Sequence, residues 1–416
     1  MKNCIFTLIQ LLSITVGIWA QQHATCDGAR YVTSLFTSVD ITQGVLFGNN
    51  TTISGTNQNL YMDVYEPTGD VATERPVIVL AFGGSFIGGA RGDVDWLCRY
   101  YTKMGFVAVT IDYRLYDGPL FPIPSASTMT NVVVKAVSDM KAAVRFLRED
   151  AATTNLFRID PNLIFVGGIS AGAIVADHMA YLDSTDSYDV SIGSLIMSNG
   201  GWEGNSSNNT QYSSEVMGVI NYSGALLDAS YVDSNDSPLF SAHDQSDGTV
   251  PYGAGSATIF TIPIISMEGS ALMNTEALSV GIVSELITIP NSSGHVSYFA
   301  GSSSWEDSVK ISSCRFMNDI ICPQSTDVSL TDKQELFTSF YPNPTGGDMN
   351  IFIENLSSTY NIIVIDNMGR SVFQEDGITD SFYTLKRTNF SSGVFYVNIR
   401  FDNPAYEPVI SKIIIR

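Results

Sequence analysis

Histidine is scarce in this chain: its 416 residues hold only four, His23, His178, His243 and His295. There are five cysteines but no Cys-x-x-Cys pair and no Cys/His cluster, so the spacing of a structural zinc site is missing. Basic residues are also few, 21 Lys and Arg against 42 Asp and Glu, which leaves a net charge of −21. A field of that sign repels nucleic-acid backbones and anionic lipid surfaces, which argues against a nucleic-acid partner. Charged residues make up only 15% against 44% hydrophobic, a balance that favours a packed core over disorder. Beyond the N-terminus no apolar run approaches the length of a membrane span, so none is expected.

What is present begins with an export signal. Lys2 supplies the positive start, Ile5 to Trp19 the apolar stretch, and Ala20 a small residue at the cleavage point. A membrane anchor is the rival reading, but the run is shorter than a span needs and Gln10, Ser13 and Thr15 interrupt it. A lipid-modified Cys26 is set aside because His23 stands where a lipobox wants leucine. Cleavage removes Cys4 and leaves Cys26, Cys98, Cys314 and Cys322, an even number that favours two disulfides in an exported chain. Three pairings are open. The short separation makes Cys314–Cys322 the first expectation, with Cys26–Cys98 as the remainder.

From Pro76 to about Ile289, short apolar runs alternate with amphipathic segments, the pattern of a mostly parallel sheet flanked by helices. Expected strands are Val77–Phe82, Phe106–Ile111, Leu163–Gly167, Ser194–Met197, Leu239–His243 and Leu286–Ile289, with Leu60–Tyr65 as an edge strand. Asn131–Arg148 carries apolar residues at helical spacing. Two long loops are expected, Leu115–Thr130 and Gly200–Gly224. After Pro323 the texture changes: Gln324–Lys333 is polar, and from Phe340 only short strands follow, at Asn350–Glu354, Asn361–Ile365, Phe382–Leu385, Val394–Arg400 and Val409–Ile415. That pattern points to a small β-sandwich.

The chemistry-bearing pattern is Gly168-Ile169-Ser170-Ala171-Gly172, set between an apolar strand and a helix-compatible stretch. G-x-S-x-G in that context is the nucleophile elbow, whose glycines permit a strained, crowded turn that lifts the serine above the sheet edge. Preorganised N–H donors are then needed where negative charge develops. Ala171 follows the nucleophile and supplies one. Phe82-Gly83-Gly84-Ser85-Phe86, at the end of an earlier strand, looks like the H-G-G-G-type oxyanion loop of esterases and lipases, with Phe82 for His and Ser85 for the third Gly. Gly84 and Ser85 would supply the other donors.

The elbow and the loop resemble those of the α/β-hydrolases, and the resemblance implies the order serine, acid, histidine along the chain. His178 lies eight positions beyond Ser170 on the same helix, about 12 Å along its axis. His243 closes a strand and reads as structural. His295, in a flexible Ser292-Ser293-Gly294 context, satisfies the order. Asp244-Gln245-Ser246-Asp247-Gly248-Thr249-Val250-Pro251 resembles the H-G-x-x-D-x-x-V-P segment of these hydrolases and puts the acid at Asp247. Asp244 is the fallback, with a solvated turn as its default role. Phe86, Trp202, Tyr298 and Phe299 are candidate walls of an acyl or aryl pocket.

Asp112-Tyr113-Arg114-Leu115, and Asp139 with Ala143 to Leu147, look like the carboxylesterase and feruloyl-esterase-like branch of the α/β-hydrolases; they read as packing and salt-bridge positions. Phe340-Tyr341-Pro342-Asn343-Pro344, Ile365 to Gly369 and Ser392 to Val397 together resemble type IX (Por) secretion sorting domains, with a carbohydrate-binding module as the rival. The implied organisation is a signal peptide over 1–20, an α/β-hydrolase domain over 21–322, a linker over 323–339 and an all-β sorting domain over 340–416. The implied activity is a secreted or cell-surface serine ester hydrolase. It needs no metal or organic cofactor, takes an ester substrate, and has the type IX machinery as its partner. A serine peptidase and an aromatic polyester hydrolase are the alternatives.

Overall fold

The computed structural model describes residues 26, 28–301, 303–323, 336–354, 356–366, 370–403, 406 and 408–416. The expected signal peptide, His23, the Gln324–Lys333 segment and the Asn367–Gly369 turn lie outside the described residues. The chain divides into two units, Met1–Gln324 and Ser325–Arg416.

In the first unit the order is β1 (Val39–Thr51), β2 (Asn57–Pro67), β3 (Arg75–Ala81), α1 (Asp95–Met104), β4 (Val107–Ile111), α2 (Ala126–Ala152), β5 (Ile159–Ile169) and α3 (Ala171–Tyr181). There follow α4 (Val190–Ser198), β6 (Gly218–Tyr222), β7 (Ala225–Leu226), β8 (Leu239–Asp244), β9 (Ala254–Ile259), β10 (Ile262–Gly269), α5 (Ser270–Ser279), β11 (Ser284–Ile289) and α6 (Glu306–Ile321). Eight strands form one sheet in the order β1-β2-β4-β3-β5-β6-β8-β11, and from β4 onward every pairing is parallel. β3, β4 and β6 are buried along their whole length, as expected of strands covered on both faces. Neighbouring residues of β6 point to opposite faces. Tyr222 meets Tyr101 of α1, which in turn bonds Ser313 of α6, while Asn221 donates to Ser270 of α5. Helices α1 and α6 therefore cover one face and α5 the other, the face that α3 shares through its contact with β7 and α2.

Three expectations are corrected. Ser194–Met197 is helical, inside α4, where the side chain of Asp189 accepts from Ser191 N–H at 2.8 Å. A four-residue apolar run does not distinguish strand from helix, and the N-cap decides. The expected loop Gly200–Gly224 contains β6, a central strand. Gly218 weakens its apolar signal but is needed there, since a Cβ would meet the Phe165 ring at 3.0 Å. Leu60–Tyr65 is not at the edge, because β1 pairs outside it.

The cysteine pairing is also corrected. Cys26 is bonded to Cys322, with Cα atoms 5.6 Å apart, while Cys98 and Cys314 are free and buried. Cys314 lies within α6 and Cys322 at its C-terminal cap. Eight residues of helix separate them by about 12 Å, beyond disulfide reach. Arg114 and Asp139 form a buried ion pair at 2.8 Å, which ties α2 to the segment after β4.

The second unit holds two antiparallel sheets. One has β12 (Thr338–Tyr341), β13 (Met349–Ile353) and β16 (Phe382–Leu385). The other has β15 (Ser371–Ile378), β14 (Tyr360–Asp366), β17 (Gly393–Phe401) and β18 (Val409–Ile415). Ile351 and Ile353 of the first sheet share a core with Ile362, Val364, Val397 and Ile413 of the second, so the two pack face to face as a sandwich.

Candidate active site

β5 ends at Ile169 and α3 begins at Ala171, so Ser170 alone makes the turn, with φ 56° and ψ −118°. A non-glycine residue in that region is strained and needs its surroundings to hold it. Here the Ser170 N–H donates to Tyr222 O at 2.8 Å, anchoring the turn to β6. The flanking glycines are demanded by crossing backbones: a Cβ on Gly168 would lie 2.3 Å from the Gly172 carbonyl carbon, and one on Gly172 would lie 2.1 Å from Ala81 O.

Asp247 follows β8 and His295 follows β11, and these two strands are neighbours in the sheet. His295 Nδ1 lies 2.6 Å from Asp247 Oδ2, and Nε2 lies 2.7 Å from Ser170 Oγ. A carboxylate only accepts, so Nδ1 carries the ring proton and Nε2 is left to accept from the serine hydroxyl. Thr249 N–H and Val250 N–H donate to Asp247 Oδ1 at 2.8 and 3.2 Å. Burial pushes the Asp247 carboxyl up, but bonds from His243 and His295 outweigh it and bring it down to about 2.

His243 has a closer link to this group than its sequence position suggests. Its Nε2 lies 3.4 Å from Asp247 Oδ2 and 3.2 Å from Val250 O, both acceptors, so Nε2 carries a proton and Nδ1 accepts from Ser270 Oγ at 2.7 Å. Asp244 is not the solvated turn residue expected from sequence. It is fully buried, and its carboxylate accepts from Ser297 N–H at 2.9 Å and from the Ser297 hydroxyl, two residues beyond His295.

The loop after β3, which is β5's neighbour in the sheet, runs beside this turn. Gly84, Ser85 and Phe86 all have positive φ, at 125°, 53° and 62°. No backbone acceptor among the described residues takes the N–H of Gly84, Ser85 or Ala171. Phe82 stands at the position expected to hold His; its ring stacks on Tyr113 at 4.4 Å, and the Tyr113 hydroxyl donates to Phe82 O at 2.8 Å. An inward hydrogen bond braces the loop without a histidine.

A cavity of about 110 Å³ opens beside Ser170, and Ser85, Phe86, Ala171 and Trp202 line it. Tyr298 does not. It is buried in the core, bonded to Ala242 O and Ser223, and packed against Phe299. Several lining residues went unrecognised in the sequence. Ile192 and Ile196 belong to α4, and Ile259, Ile264 and Met267 to the β9–β10 hairpin. Only the spacing of Val133 and Val137 on α2 signalled an apolar face; Met129 fell in the expected loop Leu115–Thr130, whose last residues belong to α2 because the helix starts at Ala126.

Residues 62–228 match the BD-FAE family, and residues 339–416 match the secretion system C-terminal sorting domain. Comparison with curated proteins gave no match. Among solved structures, native esterase Est2 of the planctomycete Thermogutta terrifontis is 18% identical, covers 72% of this chain and 98% of its own, and superposes with a TM-score of 0.49. Its propionate-bound form is 18% identical over 68% of this chain and 95% of its own, with a TM-score of 0.48. Within the first unit residues 62–228 thus match BD-FAE, and within the second residues 339–416 match a secretion system C-terminal sorting domain.

Proposed function

We propose that this is an exported serine esterase working through an acyl-enzyme on Ser170, with His295 as general base and acid and Asp247 as its orienting carboxylate. The carrying observation is the unbroken chain from Ser170 Oγ through the His295 ring to Asp247, at 2.7 and 2.6 Å. The serine oxygen attacks the ester carbonyl carbon while its proton passes to His295 Nε2. The displaced electron pair rests on the carbonyl oxygen, held by the N–H groups of Gly84, Ser85 and Ala171. Collapse breaks the bond to the alcohol, which leaves with the proton from His295. Water then attacks the acyl-serine, gives a proton to His295, and the acid departs as Ser170 regains its hydrogen. Asp247 stays ionised throughout, fixing the tautomer and stabilising the imidazolium.

The sorting domain supports release or surface attachment by the type IX machinery, with residues 1–20 directing the chain to the periplasm first. Ser170→Ala is expected to abolish hydrolysis of p-nitrophenyl acetate while the thermal unfolding curve stays in place. Retained turnover in that variant sinks the mechanism. Faster cleavage of a matched anilide than of the ester by the wild type would turn the reading into a peptidase.

A further inference from the structure

The cavity beside Ser170 is built from two parallel rows of side chains. On α3 and its caps, Ser170, Ile174, His178 and Leu182 recur every fourth residue and all line it. On α2, Met129, Val133, Val137 and Lys141 do the same. Residues four apart share one helix face, and twelve residues of helix extend about 18 Å. The cavity is therefore a slot running along both helices, roofed by α4 and the β9–β10 hairpin. Its one histidine offers nothing polar to a ligand, because His178 Nδ1–H donates to Ile174 O at 2.8 Å and Nε2 accepts from Leu227 N–H at 3.2 Å.

The two ends differ. One end holds Ser170 with Ser85, Phe86 and Ala171, but neither His295 nor Asp247 lines the slot. On the proposed mechanism the alcohol must leave on the side of His295, which gives it a proton. Thr249 and Val250, which hold Asp247, line the slot as well, so its lining alone does not choose a side. The acyl group is the part of the ester that stays bonded to Ser170 after the alcohol has left, and the slot opens at Ser170. At the other end stands buried Lys141, whose ammonium donates to Trp202 O at 2.8 Å and feels the carboxylates of Glu203 and Asp183 and the Arg145 guanidinium. A methyl terminus reaching that ammonium would strip its remaining hydration, which is costly.

We propose that the slot binds a straight aliphatic acyl chain of medium length, and that Lys141 sets its upper limit. This rests on Ser170 being the nucleophile. It also favours a flexible alkyl chain over an aromatic acid, since Ile174, Leu182, Met129, Val133 and Val137 make up most of the two rows.

The test is a kcat/KM series on the full chain with p-nitrophenyl acetate, butyrate, octanoate, dodecanoate and palmitate, beside p-nitrophenyl benzoate, all kept below their aggregation limits. Burial of each added methylene is worth up to about fourfold, so a rise on the order of 10² from acetate to octanoate is expected, followed by a fall at palmitate. Val137→Phe should lower the octanoate-to-butyrate ratio about tenfold. Lys141→Met should raise the palmitate-to-octanoate ratio by a similar factor. A series that peaks at acetate, prefers benzoate, or climbs without limit overturns the proposal whatever the variants do. So do variants that scale all esters equally. Labelling by a fluorophosphonate separates the two layers: a labelled Ser170 with a flat series removes the slot alone, whereas an unlabelled Ser170 removes the nucleophile and the slot with it.

Discussion

The turn carrying Ser170 is held by close packing of backbone on backbone, whereas the loops carrying Asp247 and His295 are held by hydrogen bonds, from side chains and from the Ser246 N–H to Ser292 O at 2.8 Å. At the serine, Gly168, Gly172 and Ala81 touch main chain to main chain, and nothing there yields without moving a strand or a helix. At the acid, a Cβ on Gly248 would meet open space, and one on Gly294 would meet only the side chains of Ser297 and Ser292. The difference separates two demands on the site. A nucleophile in a strained backbone conformation needs a rigid frame. A proton carrier needs only to be aimed, and a few directed bonds suffice.

The sharpest way to break this contrast is one added methyl group on each side. Gly172→Ala puts a carbon against Ala81 O, where no side chain can swing aside, and is expected to abolish activity and cost at least 1–3 kcal/mol of stability. Gly248→Ala, one residue from Asp247, adds its methyl to open space and should change neither kcat nor the melting temperature appreciably. Both are read by ester turnover and thermal unfolding. Equal losses in the two variants would erase the distinction.

The same contrast explains what was legible beforehand. The serine turn announces itself in sequence because backbone crowding excludes every residue but glycine at 168 and 172, and the flanking strand and helix are long enough to have a period. The position of His295 was reachable by elimination among four histidines. The supports of the acid were not: that Asp244 is buried beneath Ser297, and that His243 reaches Asp247, depend on side chains meeting across β8, α5 and the loop after β11. Helix α4 was misread because four apolar residues fit either period. Strand β6 was missed because its glycine and asparagine face close-packed neighbours that no local pattern reveals. The cavity inherits the first of these errors, since α4 forms part of its roof.

Asp247→Asn tests the aimed side directly. Thr249 and Val250 N–H would hold the remaining carbonyl oxygen, turning the new amide N–H₂ toward the two imidazoles. His295 would then have to accept at Nδ1 and present a proton, not a lone pair, to Ser170. A loss on the order of 10⁴ in kcat is expected, with KM little changed and the fold intact. A loss below tenfold would mean that another carboxylate orients the ring.

Asp244→Asn should have the smallest effect of the aspartate variants, and its size measures how far the brace matters. The amide oxygen still accepts from Ser297 N–H, and the amide nitrogen can donate to the Ser297 hydroxyl, which then turns its proton toward Ser292 Oγ, 3.1 Å away. Only the charge on the brace is lost. A fall in kcat of less than about tenfold is expected, with the rate of fluorophosphonate labelling falling in step, because a looser loop misaims His295 without changing its tautomer. Asp244→Ala removes both bonds and should cost more than the asparagine variant, yet less than Asp247→Asn. If Asp244→Asn instead matched Asp247→Asn in kcat, Asp244 would be acting on the imidazole itself, and the division of labour between two aspartates three residues apart would have to be redrawn.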